Sequence, residues 1–253
     1  MIDIHCHILP GLDDGAQTLE DALAMAEAAV EQGIHTIIAT PHHATRSYDN
    51  EADTVRDAIQ QLNTSLYLHN IPLNIVPGHE IRVHAKLLDE LDSHKLLTLN
   101  ESRYIMLELP RDHIPAGINE TLYELRLRRL VPVIAHPERH TELLSEPARL
   151  PELAEQGVLF QLTAGSVLGH FGKAVQKFSL SLCREGLIHF IGSDAHNAIR
   201  SIDQLDAAYD FIDMRIEEGL SNHYRQNAYH LTENMEISEW NFHTKKKRWF
   251  AFW

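Results

Sequence analysis

The chain has only two cysteines, Cys6 and Cys183, and no paired spacing between them. A disulfide framework and a cysteine-built zinc cluster are excluded on that count, and a reducing compartment is implied. No apolar run approaches the roughly 20 residues that cross a bilayer. No apolar leader precedes the first strand either, since the chain opens on Met1-Ile2-Asp3-Ile4. Both absences point to a cytoplasmic protein whose membrane contact is at most peripheral. Positive charge is scarce as well: 22 Lys and Arg against 36 Asp and Glu give a net −14. Such a body repels nucleic-acid phosphate, so no nucleic-acid partner is expected.

What the chain does have is length, apolar content and histidine. With 253 residues, 44% of them hydrophobic, it can bury one sizeable core. Strand-length apolar runs recur at 2–5, 34–39, 73–76, 104–109, 131–135, 158–162 and 188–191. Helical spacing fills the gaps between them. Leu19, Leu23, Ala26 and Val30 mark one helix, with Thr18 as N-cap and Gly33 past the last turn. Ala58, Leu62, Leu66 and Leu68 mark another, closed off by Pro72. The alternation predicts an α/β protein with a parallel sheet, and a barrel is preferred over an open sheet because potential ligands stand at nearly every strand end. One domain spans residues 1–235, and 236–253 form a basic and aromatic tail.

Five of the 18 histidines occupy those strand ends: His5 and His7, His42, His136 and His196. His5 and His7 are two apart on a strand, so both project to one face while Cys6 points the other way. Asp194-Ala195-His196 repeats that spacing near the far end. Asp14 lies in the loop after the first strand, Glu80 follows the third, and Glu108 sits in an apolar strand. A carboxylate in such a strand needs a cation, either a metal or a core arginine. Histidines 43, 79, 113 and 140 neighbour these positions as candidates for orienting ligands. The rest, His84 among them, read as surface or satisfied residues.

The motifs together resemble a known family. They are Ile-Asp-Ile-His-Cys-His with Asp-Asp-Gly, Thr-Pro-His-His, Gly-His-Glu, Leu-Glu-Leu-Pro, Ala-His-Pro-Glu-Arg and Gly-Ser-Asp-Ala-His. In this order they are similar to the polymerase-and-histidinol-phosphatase (PHP) superfamily, and more narrowly to the manganese-dependent protein-tyrosine phosphatases of bacterial capsule and exopolysaccharide gene clusters. The resemblance implies a distorted (β/α)7 barrel of PHP type holding three divalent metal ions. One metal would take His5, His7, Glu80 and Asp194. A second would share Glu80 and add Glu108 and His136. The third would take Asp14, His42 and His196. Manganese is the implied metal, and the nitrogen and oxygen donors also suit iron or zinc.

A carboxylate bridging two such ions would share a water acidified toward neutrality, the implied nucleophile on phosphorus. Arg139 would neutralise the phosphoryl oxygens, and Asp14 or His42 would stabilise the departing oxygen. A thiolate mechanism is disfavoured by the residues themselves, because six places after Cys6 and Cys183 stand Leu12 and His189 rather than arginine. The implied partner is a tyrosine-phosphorylated bacterial kinase in polysaccharide production. The alternatives are a small-molecule phosphatase of the histidinol phosphate type and a non-catalytic metal-bound regulator. Lys245, Lys246, Lys247 and Arg248, followed by Trp249, Phe250, Phe252 and Trp253, would guide the tail to an anionic membrane.

Overall fold

The computed structural model describes residues 1–198 and 204–240. Its strands are β1 (Ile2–Cys6), β2 (Thr36–Ala39), β3 (His42–His43), β4 (Asn74–Pro77), β5 (Glu80–Arg82), β6 (Tyr104–Glu108), β7 (Val131–Ala135), β8 (Leu159–Thr163) and β9 (Phe190–Gly192). The helices are α1 (Leu19–Glu31), α2 (Ala52–Leu68), α3 (Leu87–Asp92), α4 (Ile118–Leu127), α5 (Thr141–Ser145), α6 (Arg149–Ala154), α7 (Ala164–Leu168), α8 (Lys173–Glu185), α9 (Leu205–Arg215) and α10 (Leu220–Thr232). All seven expected strands are present. Two more, β3 and β5, were not expected: they are two and three residues long and begin in His and Glu, so no apolar run announces them.

The strands form two parallel sheets, ordered β1-β2-β4 and β3-β5-β6-β7-β8-β9. Chain continuity joins them on one side. Thr40-Pro41 links β2 to β3, and Gly78-His79 links β4 to β5. Gly78 is required there, because a Cβ would stand 2.7 Å from Ile38 Cγ2 and 3.1 Å from the Ala39 carbonyl oxygen. On the other side β1 lies along the segment after β9. The Asp194 N–H donates to the His5 carbonyl at 2.8 Å, and the His7 N–H to the Ala195 carbonyl at 2.9 Å.

Thr18 caps α1 as expected. Its hydroxyl accepts from the Asp21 N–H at 3.1 Å while the Asp21 carboxylate accepts from the Thr18 N–H, a reciprocal cap. The buried face of α1 differs from the expected one: Ala22, Met25, Ala26 and Ala29 are buried, whereas Leu19 is exposed. Small residues there let the helix approach the sheet closely. In α2, Leu62 and Leu66 pack inward with Val55 and Ile59, and Leu68 is left exposed.

A shift of register between Asp3 and Cys6 interrupts the alternation along β1. Ile4 packs with Ile38, Met106, Val133 and Phe190 and with Ala228 and Leu231 of α10. His5, its neighbour, turns to the histidine cluster, and Cys6 joins the larger core. Such bulges are a recurrent way to re-aim a side chain at a functional site.

Candidate metal centre

All nine expected ligands converge. Their meeting begins at β1, where His5 Nε2 and His7 Nε2 lie 3.3 Å apart. Each ring is fixed by its other nitrogen. His5 Nδ1 faces Gln161 Oε1 at 2.9 Å, and His7 Nδ1 faces Asp13 Oδ2 at 2.7 Å. Both partners are acceptors, so in the neutral rings the proton sits on Nδ1 and each Nε2 presents a lone pair. Glu80 Oε2 is 3.4 Å from both Nε2 atoms, and Asp194 Oδ1 is 3.5 Å from both. His5 Nε2, His7 Nε2 and Glu80 Oε2 form a near-equilateral triangle, so a point about 2.1 Å from all three, the usual metal–nitrogen distance, lies just off its plane, with Asp194 flanking both histidines. The donor set fits a divalent ion.

Glu80 is the hub. It is fully buried at the head of β5, and its Oε1 meets His136 Nε2 at 2.7 Å. Its Oε2 stands 3.0 Å from His42 Nδ1, yet neither atom makes a hydrogen bond. Two unbonded buried polar atoms at that distance are costly unless a cation lies between them or beside them. Burial pushes the Glu80 carboxyl upward, but His5, His136 and His42 overcome it and hold the group well below the ordinary carboxylate range. Burial likewise opposes charge on His5 and His7, and the carboxylates around them raise both above the ordinary imidazole value. What attracts a proton to these rings also attracts a metal, so the two compete for Nε2.

The grouping differs in detail from the expected partition. His42 offers Nδ1 to Glu80 and, at 3.9 Å, to Glu108, while its Nε2 faces Asp14 Oδ1 at 3.5 Å. It therefore stands between two donor groups rather than in one. His196 Nε2 approaches Asp14 Oδ1 at 3.4 Å, and its ring stacks on His7 with centroids 4.0 Å apart, which brings His7 into that group as well. Glu108 is not held by the cluster alone. Arg82 Nε donates to its Oε2 at 2.7 Å, so the arginine alternative for this carboxylate is realised. Burial and the Glu80 charge raise its pKa, opposed by Arg82.

His136 and Asp194 both adopt the left-handed backbone region, with φ of 35° and 54°. Non-glycine residues held there carry strain that structures retain mainly at working sites. Arg139, one turn past His136, donates through Nη2 to Asp194 Oδ2 and lies over the Phe171 ring at 5.0 Å. Burial opposes its charge, and Asp194 more than restores it. Arg82, Arg111 and Arg139 share with the ligands the wall of an open cavity of about 560 Å³. Cations lining a cleft of that size suit a small anionic group.

Residues 1–233 match the family described as capsular polysaccharide synthesis, CpsB/CapC. The chain belongs to the CpsB/CapC family. The tyrosine-protein phosphatase YwqE of Bacillus subtilis is 46% identical over 238 residues, covering 94% of this chain and 91% of the relative. CapC of Staphylococcus aureus is 32% identical over 253 residues, 99% of each chain. A crystal structure from work on YwqE and on CpsB of Streptococcus pneumoniae, described as unique metal-dependent tyrosine phosphatases, superposes with a TM-score of 0.91 at 44% identity. It covers 95% of this chain and 97% of its own.

In this CpsB/CapC chain several supporting residues carry no plain sequence signal. Asp13 accepts from His7 Nδ1, from the Gly15 N–H at 2.9 Å and from the His42 N–H at 3.0 Å. Burial pushes its carboxyl up, and His7 with those amides brings it down to about 2. The Asp-Asp-Gly turn was its only sign. The buried Glu138, which accepts from the Thr163 N–H, stood in the Ala-His-Pro-Glu-Arg motif without a role, and Gln161 had no sign at all. Of the four histidines expected to orient ligands, only His140 lines the cavity. His43 faces away from His42, His79 accepts from the Leu97 N–H, and His113 is exposed beside Asp112.

Proposed function

We propose that this chain is a metal-dependent protein-tyrosine phosphatase acting on a tyrosine kinase of capsule or exopolysaccharide production. The observation that carries the proposal is the convergence of His5, His7 and Glu80 donors, flanked by Asp194 with Arg139 bonded to it. The reading takes the two sheets as one distorted seven-stranded ring, with β2–β3 and β4–β5 each counted as a kinked strand. The bonds from Asp194 and His7 across to β1 and the β9 segment support it. Residues 1–235 are the catalytic unit in this account.

His5, His7, Glu80 and Asp194 would hold one ion, Glu80, Glu108 and His136 a second, and Asp14, His42 and His196 a third, with manganese the metal of choice. Ions held this way supply Lewis acidity and lower the pKa of water. The protein's own part is placement. Gln161 and Asp13 keep the lone pairs of His5 and His7 aimed inward, and Arg139 turns its remaining guanidinium donors to the phosphoryl oxygens that enter the cavity. A tyrosine phenol, with a pKa of about 10, departs without strong proton donation. The catalytic part given to Asp14 and His42 then reduces to stabilising charge where the phenolic oxygen leaves. Consistent with that, the Asp14 carboxyl is held below its ordinary value chiefly by His196, so it stays ionised at neutral pH.

Hydrolysis of a phosphotyrosyl peptide, a phosphoseryl peptide and histidinol phosphate, each with added manganese and with chelator, tests this reading. Metal-dependent preference for the phosphotyrosyl peptide is expected, and preference for histidinol phosphate would overturn it. No helix among the described residues is long and apolar enough to cross a membrane. The basic and aromatic segment 245–253 lies outside the described residues. Its proposed peripheral contact predicts that removing it abolishes any preference for anionic over neutral vesicles.

A further inference from the structure

We propose that His43, His84 and Glu90 form a separate binding site for a divalent zinc-type cation on the outer side of β3. Successive side chains on a strand leave on opposite faces, so while His42 enters the central cluster, His43 emerges behind it. There His43 Nε2 lies 3.0 Å from Glu90 Oε2, and His84 Nε2 lies 2.9 Å from the same oxygen. Asp49 Oδ1 stands 3.5 Å from His43 Nε2 on the solvent side, outside the three-donor group.

Hydrogen-bond accounting fixes how both rings of this group are turned. His43 Nδ1 meets the Asn50 carbonyl oxygen at 2.6 Å, and His84 Nδ1 meets the Arg82 carbonyl oxygen at 2.8 Å. A carbonyl only accepts, so each Nδ1 is the N–H donor, and each neutral ring directs the lone pair of Nε2 at a carboxylate. Protons on Nε2 or a single divalent ion would supply the positive charge that two lone pairs aimed at one anionic oxygen call for. The backbone contacts on Nδ1 are the arrangement that orients ligating imidazoles in metal sites.

Two imidazoles with one or two carboxylates and no thiolate suit zinc and its neighbours in the divalent series, with a position left open to water. Opening the 2.9–3.0 Å contacts to metal-ligand spacing needs only a few tenths of an ångström. Both His84 and Glu90 can supply it, since their side chains are 20% and 23% exposed. The ion would clip together β3, the segment after β5 and α3. Both histidines are coupled to the central cluster through the backbone: His43 follows His42 directly, and His84 is bonded to Arg82, the partner of Glu108.

Two measurements on the full chain test the site. Crystals of the wild-type protein grown with zinc are expected to give anomalous density at the zinc edge about 2.0–2.1 Å from His43 Nε2 and His84 Nε2. In parallel, metal-free wild-type, His84→Gln and Glu90→Gln proteins are titrated with zinc against a chromophoric chelator. Each variant is expected to bind one equivalent fewer than wild type while keeping the equivalents of the central cluster. A loaded central cluster with no density beside Glu90 would overturn the proposal, as would variants that match the wild-type stoichiometry. If one substitution unfolds the chain, the other and the wild-type crystals still decide.

Discussion

Arg139 is the residue at which charge, stability and turnover separate most cleanly. Its guanidinium is the partner of Asp194, whose side chain is 5% exposed, and its own side chain is only 26% exposed. Burial raises the Asp194 carboxyl, and Arg139, with His5 and His7, pulls it well below the usual range. Two unit charges about 4 Å apart at an effective dielectric near 20 attract by about 4 kcal/mol. Removing one of them leaves a buried anion, a loss of about 3–5 kcal/mol. Arg139→Met should therefore lower unfolding stability by about that amount. Arg139→Lys retains a cation that can reach Asp194 and should cost about 1 kcal/mol. A lysine has no fork, so it cannot serve Asp194 and a phosphoryl group together. Losing one or two charge-assisted bonds to the phosphoryl oxygens, each about 1.5–3 kcal/mol, lowers kcat/KM by about 10- to 100-fold or more. Urea unfolding of the metal-free proteins and steady-state kinetics on a phosphotyrosyl peptide in saturating manganese read the two effects separately. An Arg139→Lys protein with wild-type kcat/KM and reduced stability would refute the reasoning and leave Arg139 as a structural counter-ion of Asp194.

Gly15 and His189 give two further predictions of different kinds. A Cβ at Gly15 would fall 2.0 Å from the His7 carbonyl oxygen and 2.5 Å from His7 Cβ. Backbone cannot yield as a long side chain does, so Gly15→Ala should displace the loop that carries Asp13 and Asp14, weaken metal retention at least about tenfold and cost about 1–3 kcal/mol. Unchanged metal binding by calorimetry would count against the role given to that loop. His189, away from the cluster, accepts from the Phe160 N–H through Nδ1. Burial, aided by the charge of His223, lowers its pKa to about 4. Because the folded value is below the unfolded one, near 6.5, its contribution is complete above that pH and is lost as pH falls toward about 4, amounting to about 2–3 kcal/mol. His189→Gln should flatten the stability profile in that window, and equal slopes for the two proteins in urea titrations at pH 7, 5.5 and 4 would contradict this.

Much of the architecture was legible because parallel β/α units write themselves in apolar runs. All seven such runs became strands. β3 and β5 escaped because they are too short to own a run, and they are held by pairing rather than by composition: His42 pairs with Glu80, and Arg82 with Glu108. The bulge in β1 escaped for a related reason. Strict alternation places His5 and His7 on one face, but it cannot show the break in register between Asp3 and Cys6, which only the pairing against β2 reveals. The exposed Leu19 and Leu68 show the same limit in helices, where apolar spacing marked a face but not where on the helix its burial begins and ends.

The side chains that converge were easier to read than the groups that orient them, and the reason is chemical. A divalent cation accepts few residue types, so imidazoles and carboxylates at strand ends identify themselves. Fixing a ring requires only an acceptor opposite Nδ1, and almost any residue supplies one. Four rings here use four different solutions: the Gln161 amide for His5, the Asp13 carboxylate for His7, the Asn50 carbonyl for His43 and the Arg82 carbonyl for His84. Two of the four are backbone atoms, to which no side-chain pattern corresponds. That is why His84, read from the sequence as a surface residue, belongs with Glu90 and His43: the orientation of its lone pair is decided by a carbonyl two residues away.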